Sequence, residues 1–175
     1  MAQVVMDGIL IGDTETKNIM TKSSLPVGGY SVNPYVGCTH ACKYCYASFM
    51  KRFTGHTEEW GTFLDVKHWP EIKNAEKYAG QRVVIGSVTD GYNPQEEKFG
   101  NTRKLLEQLR GSGADILICT KSDLVKTSRI SNLPCLARSL IIWSLSRFSA
   151  RTLWPETPSS CSSCTIVQPI FSQKR

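Results

Sequence analysis

The sequence lacks the features that would place the chain in or across a membrane. It contains no run of about 18 apolar residues, so it offers no membrane span. The N-terminal segment 1–7 has no basic region of the kind that opens a secretory signal. We therefore expect a cytoplasmic protein with no membrane partner.

The chain is also too short for a complete eight-unit βα barrel, and its cysteine pattern does not suit a disulfide-stabilised protein. Its 175 residues are enough for one domain with a core, but a complete eight-unit βα barrel needs about 250. Its 7 cysteines are an odd number, and three of them crowd into one short stretch. That usage suits a reducing compartment better than a disulfide framework.

Glycine and aspartate are missing from the last 50 residues. All 13 glycines lie before residue 126, and the segment 126–175 contains no Asp, one Glu and 11 Ser. Because βα repeats use Gly and Asp at turns and helix ends, we interpret residues 126–175 as an atypical, basic, Ser-rich tail, either frameshifted or disordered. Residues 1–125 then form the ordered part of the fold.

The net charge of +6 does not mark a nucleic-acid surface on the folded part. Residues 1–125 carry 14 basic and 14 acidic residues, which balance to zero, whereas the tail carries seven basic residues against Glu156. We expect any DNA binding to be weak, insensitive to sequence and lost on truncation after Val125.

Three cysteines with close spacing are the most informative feature that is present. Cys38, Cys42 and Cys45 follow the pattern Cys-x3-Cys-x2-Cys. A cubane iron-sulfur cluster normally takes four thiolates, so a set of three leaves one iron open to another ligand. A zinc knuckle is the alternative, but His40 lies inside the loop, where it is badly placed to complete a tetrahedron.

Hydrophobic patterning predicts an α/β fold with a parallel sheet. Three strands alternate with two helices, and short links between them favour right-handed βαβ units. In chain order, these elements are strand 30–36, helix 46–53, strand 82–88, helix 96–110 and strand 115–120. The segment 139–146 is a candidate fourth strand, and residues 54–80 are predicted to wrap the edge of the fold without adding a central strand.

Chemically reactive side chains follow each predicted strand. The cysteine loop comes first, residues 89–96 (Thr-Asp-Gly-Tyr-Asn-Pro-Gln-Glu) come second, and Thr120-Lys121-Ser122-Asp123 comes third. The second stretch taken alone is typical of an ordinary turn. Because reactive groups gather at the C-terminal ends of parallel strands, the position of all three loops favours a shared site.

Residues 26–125 resemble the radical S-adenosylmethionine (SAM) superfamily, in particular its spore photoproduct lyase and DNA-repair-photolyase-like group. Within that group they look like the radical SAM mobile pair protein B set. Three stretches carry the resemblance, namely 32–47 with its Cys-x3-Cys-x-Tyr-Cys motif, 89–96 and 120–122. Gly91 departs from the proline expected after the aspartate. The resemblance implies a partial (β/α) barrel of the radical SAM type, reduced here to its N-terminal part with three or four βα units.

The resemblance also implies a set of cofactor contacts. Cys38, Cys42 and Cys45 would bind three irons of a 4Fe-4S cluster, and SAM would chelate the fourth iron. The cofactor-binding residues would be Tyr44 near the adenine, Thr89 and Asp90 at the methionine amino group, and Lys121 and Ser122 at the carboxylate or ribose. A solvated lysine at a strand end is the alternative for Lys121.

The implied reaction is reductive cleavage of SAM to methionine and a 5'-deoxyadenosyl radical, with an electron donor such as flavodoxin or ferredoxin. The resemblance implies a lyase activity on a nucleic-acid substrate. Beyond the cofactor ligands, it implies no catalytic residue in this chain. A truncated cluster-binding remnant without turnover is a second interpretation, and a structural zinc module is a third.

The remaining cysteines and histidines carry weaker predictions. Cys161 and Cys164, with Cys135, are a weak candidate for a zinc site or an auxiliary cluster, because they lie in a Ser- and Pro-rich stretch with no supporting motif. Cys119 is expected in the core, and His56 and His68 are expected at the surface.

Overall fold

The computed structural model describes residues 3–24, 26, 28–127 and 139–143 as a mixed α/β fold with two mixed sheets and short helices. The strands, in chain order, are β1 (Val4–Met6), β2 (Ile9–Glu15), β3 (Thr21–Lys22), β4 (Tyr30–Val32), β5 (Tyr35–Val36), β6 (Phe63–His68), β7 (Arg82–Ile85), β8 (Asp115–Thr120) and β9 (Ser139–Trp143). The helices are α1 (Glu96–Phe99), α2 (Asn101–Gln108) and α3 (Leu124–Thr127), with 3₁₀ helices at Tyr46–Phe53 and Ala75–Tyr78.

The larger sheet contains the parallel strands that the sequence predicts. Its order is β3-β4-β7-β8-β9, in which β4, β7, β8 and β9 run parallel and β3 pairs antiparallel with β4. Apolar β-branched residues make β7 a fully buried strand from Val83 to Ile85, which is the usual composition of a strand covered on both faces. The α/β class and the bounds of β8 are confirmed.

The smaller sheet corrects two sequence predictions. Its order is β1-β2-β6-β5, so β6 lies between two neighbours within residues that we expected to add no central strand. The predicted strand 30–36 is in fact two strands, because β4 pairs with β7 while β5 pairs with β6. Asn33 and Pro34 separate them, and a proline cannot donate a ladder hydrogen bond.

The predicted helix 96–110 is broken into α1 and α2. Gly100 adopts φ +63° between them, a left-handed conformation that ends α1. The buried carboxylate of Glu96 then accepts hydrogen bonds from the backbone N–H groups of Thr102 and Arg103, at 3.1 Å each, and so caps the start of α2. Leu105 and Leu106 of α2 pack into the core of the larger sheet.

One strand of the atypical tail lies within the described residues. β9 pairs parallel with β8 over five residue pairs, from Ile116 opposite Ser139 to Thr120 opposite Trp143. The predicted strand 139–146 is therefore confirmed as far as Trp143. The rest of the tail, with Cys135, Cys161 and Cys164, lies outside the described residues. Among the helices of the described residues, none has the length and apolar content needed to cross a membrane.

Candidate functional site

Three loops meet beyond the C-terminal ends of neighbouring strands. The cysteine loop 37–45 follows β5, the second loop 86–95 follows β7, and the third loop 120–123 follows β8. β7 and β8 are parallel neighbours, so their C-terminal ends share one edge of the larger sheet. The cysteine loop reaches this edge from β5 of the smaller sheet, which follows β4 along the chain. The sequence predicted this juxtaposition, and side-chain contacts between all three loops are present.

The cysteine loop begins at a close approach of backbone. Gly37 has φ +85°, and a Cβ atom at this position would lie 2.6 Å from the carbonyl oxygen of Phe63. The loop then turns through hydrogen bonds from the N–H of Ala41 to Cys38 O, at 3.4 Å, and from the N–H of Cys45 to Cys42 O, at 3.0 Å. These turns bring the three cysteines onto one compact loop.

The three thiols differ in their exposure. Cys38 is buried, with 7% of its surface exposed, whereas Cys42 and Cys45 are partly exposed. Burial raises the pKa of Cys38 to about 11, despite backbone N–H groups at His40 and Asp90 that favour the thiolate. Without a metal the Cys38 thiol is therefore neutral, and metal ligation would release its proton.

Asp90 ties the second loop to the other two. Its Oδ1 accepts hydrogen bonds from the N–H of Tyr92 (2.9 Å) and the hydroxyl of Thr120 (2.7 Å). Its Oδ2 accepts from the N–H of Lys121 (2.7 Å), and His40 Nε2 lies 3.2 Å away without hydrogen-bond alignment. Burial raises the pKa of this carboxyl, but the nearby His40 imidazole and the donors at Lys121 and Thr120 outweigh burial and hold the pKa below its ordinary value.

Thr89 and Asn33 hold the second loop against the residues that lead from β4 into the cysteine loop. The buried Thr89 hydroxyl donates to the carbonyl oxygen of Gly37, next to Cys38. The Asn33 amide donates to Ser87 Oγ at 3.1 Å, and its oxygen accepts from the N–H of Val88 at 3.1 Å. Asn33, which lies between β4 and β5, therefore anchors the second loop beside the cysteine loop.

Lys121 lies directly on the cysteine loop. Its Nζ donates to Cys42 Sγ at 3.1 Å and to the Tyr44 hydroxyl at 2.6 Å, and it lies 4.0 Å from the centre of the Tyr44 ring. Desolvation lowers the pKa of Lys121, but these two acceptors outweigh it and raise the pKa overall. The lysine is thus a fixed positive charge beside a candidate ligand sulfur.

Ser122 has a local structural role. Its hydroxyl accepts a hydrogen bond from the N–H of Leu124 at 3.2 Å, which caps α3, and its own N–H donates to Thr120 Oγ1 at 3.0 Å. The structure therefore brings Thr89, Asp90 and Lys121 into contact with the cysteine loop, which itself contains Tyr44. The identified contacts of Ser122 lie within the third loop and α3.

The cysteine loop also contains polar atoms that are buried without a hydrogen-bond partner. Among the described residues these atoms include Thr39 Oγ1 and His40 Nε2, both between the first two cysteines. Such groups are uncommon in folded proteins and call for a further partner, such as a water, an ion or a ligand. Across the described ranges, no three His, Cys, Asp or Glu side chains converge to hold a single metal ion. A cubane attaches its thiolates to different irons, so three thiols on one loop remain an appropriate donor set for it.

Two predictions about side chains outside this site need correction. His56 is not a surface residue, because only 8% of its side chain is exposed and its ring nitrogens lie 3.0 Å from Glu58 and from Asp65. His68 is exposed as predicted and pairs with Asp13. Cys119 lies in β8 but is only partly buried.

Sequence patterns did not reveal the roles of His40, Asn33 and Glu96. The contacts of His40 and Asn33 cross between loops that are about 50 residues apart, and no local periodicity reports such pairs. Glu96 precedes α2 and reaches forward to it, unlike the glutamate of a capping box, which follows a Ser or Thr cap by three residues, so the capping-box pattern did not reveal it.

Comparisons with known proteins return relatives that are themselves uncharacterized. The chain is 38% identical over 113 residues to an uncharacterized protein of Methanocaldococcus jannaschii, a match that covers 63% of this chain and 42% of that protein. It is 36% identical over 108 residues to an uncharacterized protein of Acidianus two-tailed virus, covering 55% of this chain and 35% of that protein. An uncharacterized protein of Mycobacterium tuberculosis is 27% identical over 146 residues, covering 76% of this chain and 41% of that protein.

No family model and no solved structure matches the chain. The matched region spans between 35% and 42% of the length of these three relatives. The chain is therefore similar to a part of several longer uncharacterized proteins, and any function must be argued from its own site.

Proposed function

We propose that this chain is the N-terminal part of a radical SAM enzyme, with a 4Fe-4S cluster on Cys38, Cys42 and Cys45. The observation that carries the proposal is the meeting of three strand-end loops around these cysteines. Asp90 contacts the first and third loops, and Lys121 contacts Cys42 and Tyr44. On this proposal, β4, β7, β8 and β9 correspond to the first parallel strands of a partial barrel.

The residues around the cysteines have separate tasks in this proposal. Lys121 places a positive charge beside Cys42, which would offset the negative charge of a thiolate-bound cluster. Tyr44 is 69% exposed beside that lysine and offers its ring to an adenine. Thr89 and Asp90 are candidates for the methionine amino group, and Asp90 also positions the loops because each of its oxygens already accepts hydrogen bonds within the protein.

When bound, the cluster and SAM would supply reductive cleavage to methionine and a 5'-deoxyadenosyl radical. The protein's own contribution is to hold both cofactors and to limit water around them. The buried Cys38 and the tight packing at Gly37 place one ligand away from solvent.

A cluster-binding remnant without turnover is a second candidate, and the extent of the relatives favours it. The matched region covers less than half of each relative, so the longer proteins contain further residues that have no counterpart in the matched region. Such a remnant would hold iron and SAM without cleaving a substrate.

Metal content tests the cluster assignment. We expect anaerobic reconstitution to give about four irons and four sulfides per chain. Cys38→Ala, Cys42→Ala and Cys45→Ala should each abolish stable binding, whereas Cys119→Ala, which removes a thiol outside the motif, should leave iron content unchanged. Stoichiometric zinc without sulfide would instead support a structural zinc module.

SAM chemistry separates the enzyme from the remnant. SAM should alter the electron paramagnetic resonance spectrum of the reduced cluster. With SAM and a reductant, the wild-type chain should produce 5'-deoxyadenosine by cleaving SAM. A spectral response without 5'-deoxyadenosine would identify the remnant. A reduced cluster that does not respond to SAM would contradict the proposal.

A further inference from the structure

Three aromatic side chains outside the proposed cofactor site are exposed on the helix that follows the third cysteine. Tyr46 is 69% exposed, Phe49 is 43% exposed and Phe53 is 70% exposed. Within the described residues, the other large apolar side chains in this exposed class are Val4, Val5 and Tyr44, of which the proposed function assigns Tyr44 to the adenine. Single exposed apolar residues are ordinary, but three rings within eight residues are characteristic of an interaction surface. We call these three residues the aromatic patch.

The aromatic patch lies in a purely basic stretch of sequence. Residues 38–57 contain Lys43, Lys51 and Arg52 and no Asp or Glu. The Arg52 guanidinium lies 5.9 Å from the centre of the Phe53 ring, so charge and ring belong to the same surface. The first acidic residue after this stretch, Glu58, is paired with His56. The patch therefore complements an acidic partner, although residues 1–125 as a whole are neutral.

The aromatic patch lies close to the cysteines along the chain, and this distance bears on the role of a partner. The 3₁₀ helix Tyr46–Phe53 begins immediately after Cys45. With a rise of about 2 Å per residue, Phe49 lies about 8 Å along this helix from Cys45 and Phe53 about 16 Å. A partner seated on the patch would thus be held close to the candidate cluster.

We propose that the aromatic patch docks a small acidic one-electron carrier protein that reduces the cluster. This inference rests on the proposed function, which requires an external electron. One electron leaves the reduced carrier, which becomes oxidised, and the cluster gains it, with no bond formed and no proton transferred. Redox encounters of this kind use small interfaces, below about 1,200 Å², and depend on charge complementarity for fast association.

The ring geometry favours a protein over a single-stranded nucleic acid. Nucleic-acid strands stack successive bases on open aromatic faces. The Phe49 and Phe53 rings instead meet edge to face at 86°, with centroids 6.3 Å apart, and Arg52 lies over Phe53. These rings do not present the row of free faces that base stacking needs.

A paired variant tests the docking surface directly. We would titrate the full metal-free chain with an acidic flavodoxin and compare Arg52→Glu/Phe53→Ala with the wild type. We expect flavodoxin to bind the wild type with an affinity that falls as salt rises, and the variant to bind at least tenfold more weakly. The matched control is Val5→Ala/Arg110→Glu, which makes the same charge change and removes an apolar side chain elsewhere on the surface; it should bind as the wild type does.

Reduction kinetics of the reconstituted chain provide the second measurement. Reduced flavodoxin should reduce the cluster of the variant at least tenfold more slowly than that of the wild type, while dithionite should reduce both equally. Equal flavodoxin binding by variant and wild type would overturn the inference, as would equal loss of binding in the control. Loss of oligo(dT) binding in the variant with flavodoxin binding intact would assign the patch to nucleic acid instead. A wild-type chain that loads no cluster would contradict the proposed function, whatever the result of the binding titration.

Discussion

At the scale of single residues, Gly37 determines where the cysteine loop starts. Its φ of +85° costs any other residue about 1–2 kcal/mol, and an added Cβ would overlap the backbone oxygen of Phe63 at 2.6 Å. We predict that Gly37→Ala lowers the free energy of unfolding by about 3 kcal/mol or more, since backbone cannot easily move aside. Urea unfolding of the metal-free chain would measure this.

Gly55 provides the matched control for that substitution. It has φ +75°, but an added Cβ there would meet nothing within 4 Å. Gly55→Ala should therefore show only the conformational cost, about 1–2 kcal/mol. If both variants lost the same stability, the close approach of Gly37 to Phe63 would not matter for the fold.

His56 predicts a dependence of stability on pH. Burial lowers its pKa, but hydrogen bonds and charges at Asp65 and Glu58 outweigh burial and raise the pKa above the usual value. A raised histidine pKa contributes stability that is fully present below about pH 6.5 and is lost as the pH rises through the folded-state pKa. We expect this part of the unfolding free energy to fall above pH 6.5, as measured by urea unfolding at a series of pH values.

The comparison of two histidine variants isolates this effect. His56→Gln should remove the decline above pH 6.5, because the charged partner of Asp65 and Glu58 is gone. His68→Gln affects an exposed pair with Asp13, and exposed pairs contribute little. A decline that persists in His56→Gln would assign the pH dependence to another group.

At the scale of secondary-structure elements, Glu96 joins α2 to the smaller sheet. Its carboxylate accepts from the N–H groups of Thr102 and Arg103 and from the hydroxyl of Tyr35, the buried aromatic residue of β5. Burial raises the pKa of Glu96, which makes the donors around it necessary for keeping the charge.

We predict that Glu96→Ala lowers the free energy of unfolding by roughly 2–4 kcal/mol, since two buried donors and one partly buried donor lose their acceptor. Glu97→Ala, at the exposed neighbouring position, should change it by less than about 0.5 kcal/mol. Thermal or urea unfolding of both variants would check the difference. Similar losses at the two positions would indicate that helix propensity, and not the cap, is being measured.

At the scale of the whole molecule, β9 covers the outer side of β8 in the larger sheet. β8 pairs with β7 on one side and with β9 on the other. Removing residues 128–175 would leave the apolar strand β8 as an unpaired edge, and such edges template association with other chains. We predict that a chain ending at Thr127 self-associates at concentrations where the full chain does not, as measured by light scattering during size-exclusion chromatography. A truncated chain that stays monomeric would show that β9 is not needed to protect this edge.

Much of the site could be predicted from the sequence because its signals are local. The proposed cluster site rests on the spacing of Cys38, Cys42 and Cys45, which is read directly from the sequence, and the apolar run 115–120 predicted β8 with its observed bounds. The placement of reactive loops after strands followed from the alternation of strands and helices. These inferences need no knowledge of which strand pairs with which.

Long-range pairing decided the rest. The apolar run 30–36 has one composition, yet it divides between two sheets because β4 finds its partner in β7 and β5 in β6. The His56 side chain is covered because Asp65 in β6 and the Phe63 ring lie against it. The partners of Asp90 come from both sheets, since Thr120 ends β8 of the larger sheet and His40 lies on the loop that follows β5 of the smaller sheet. Strand propensity reports how a segment suits a pleated surface, whereas its neighbours follow from contacts across the fold, and those exist only once the chain has folded.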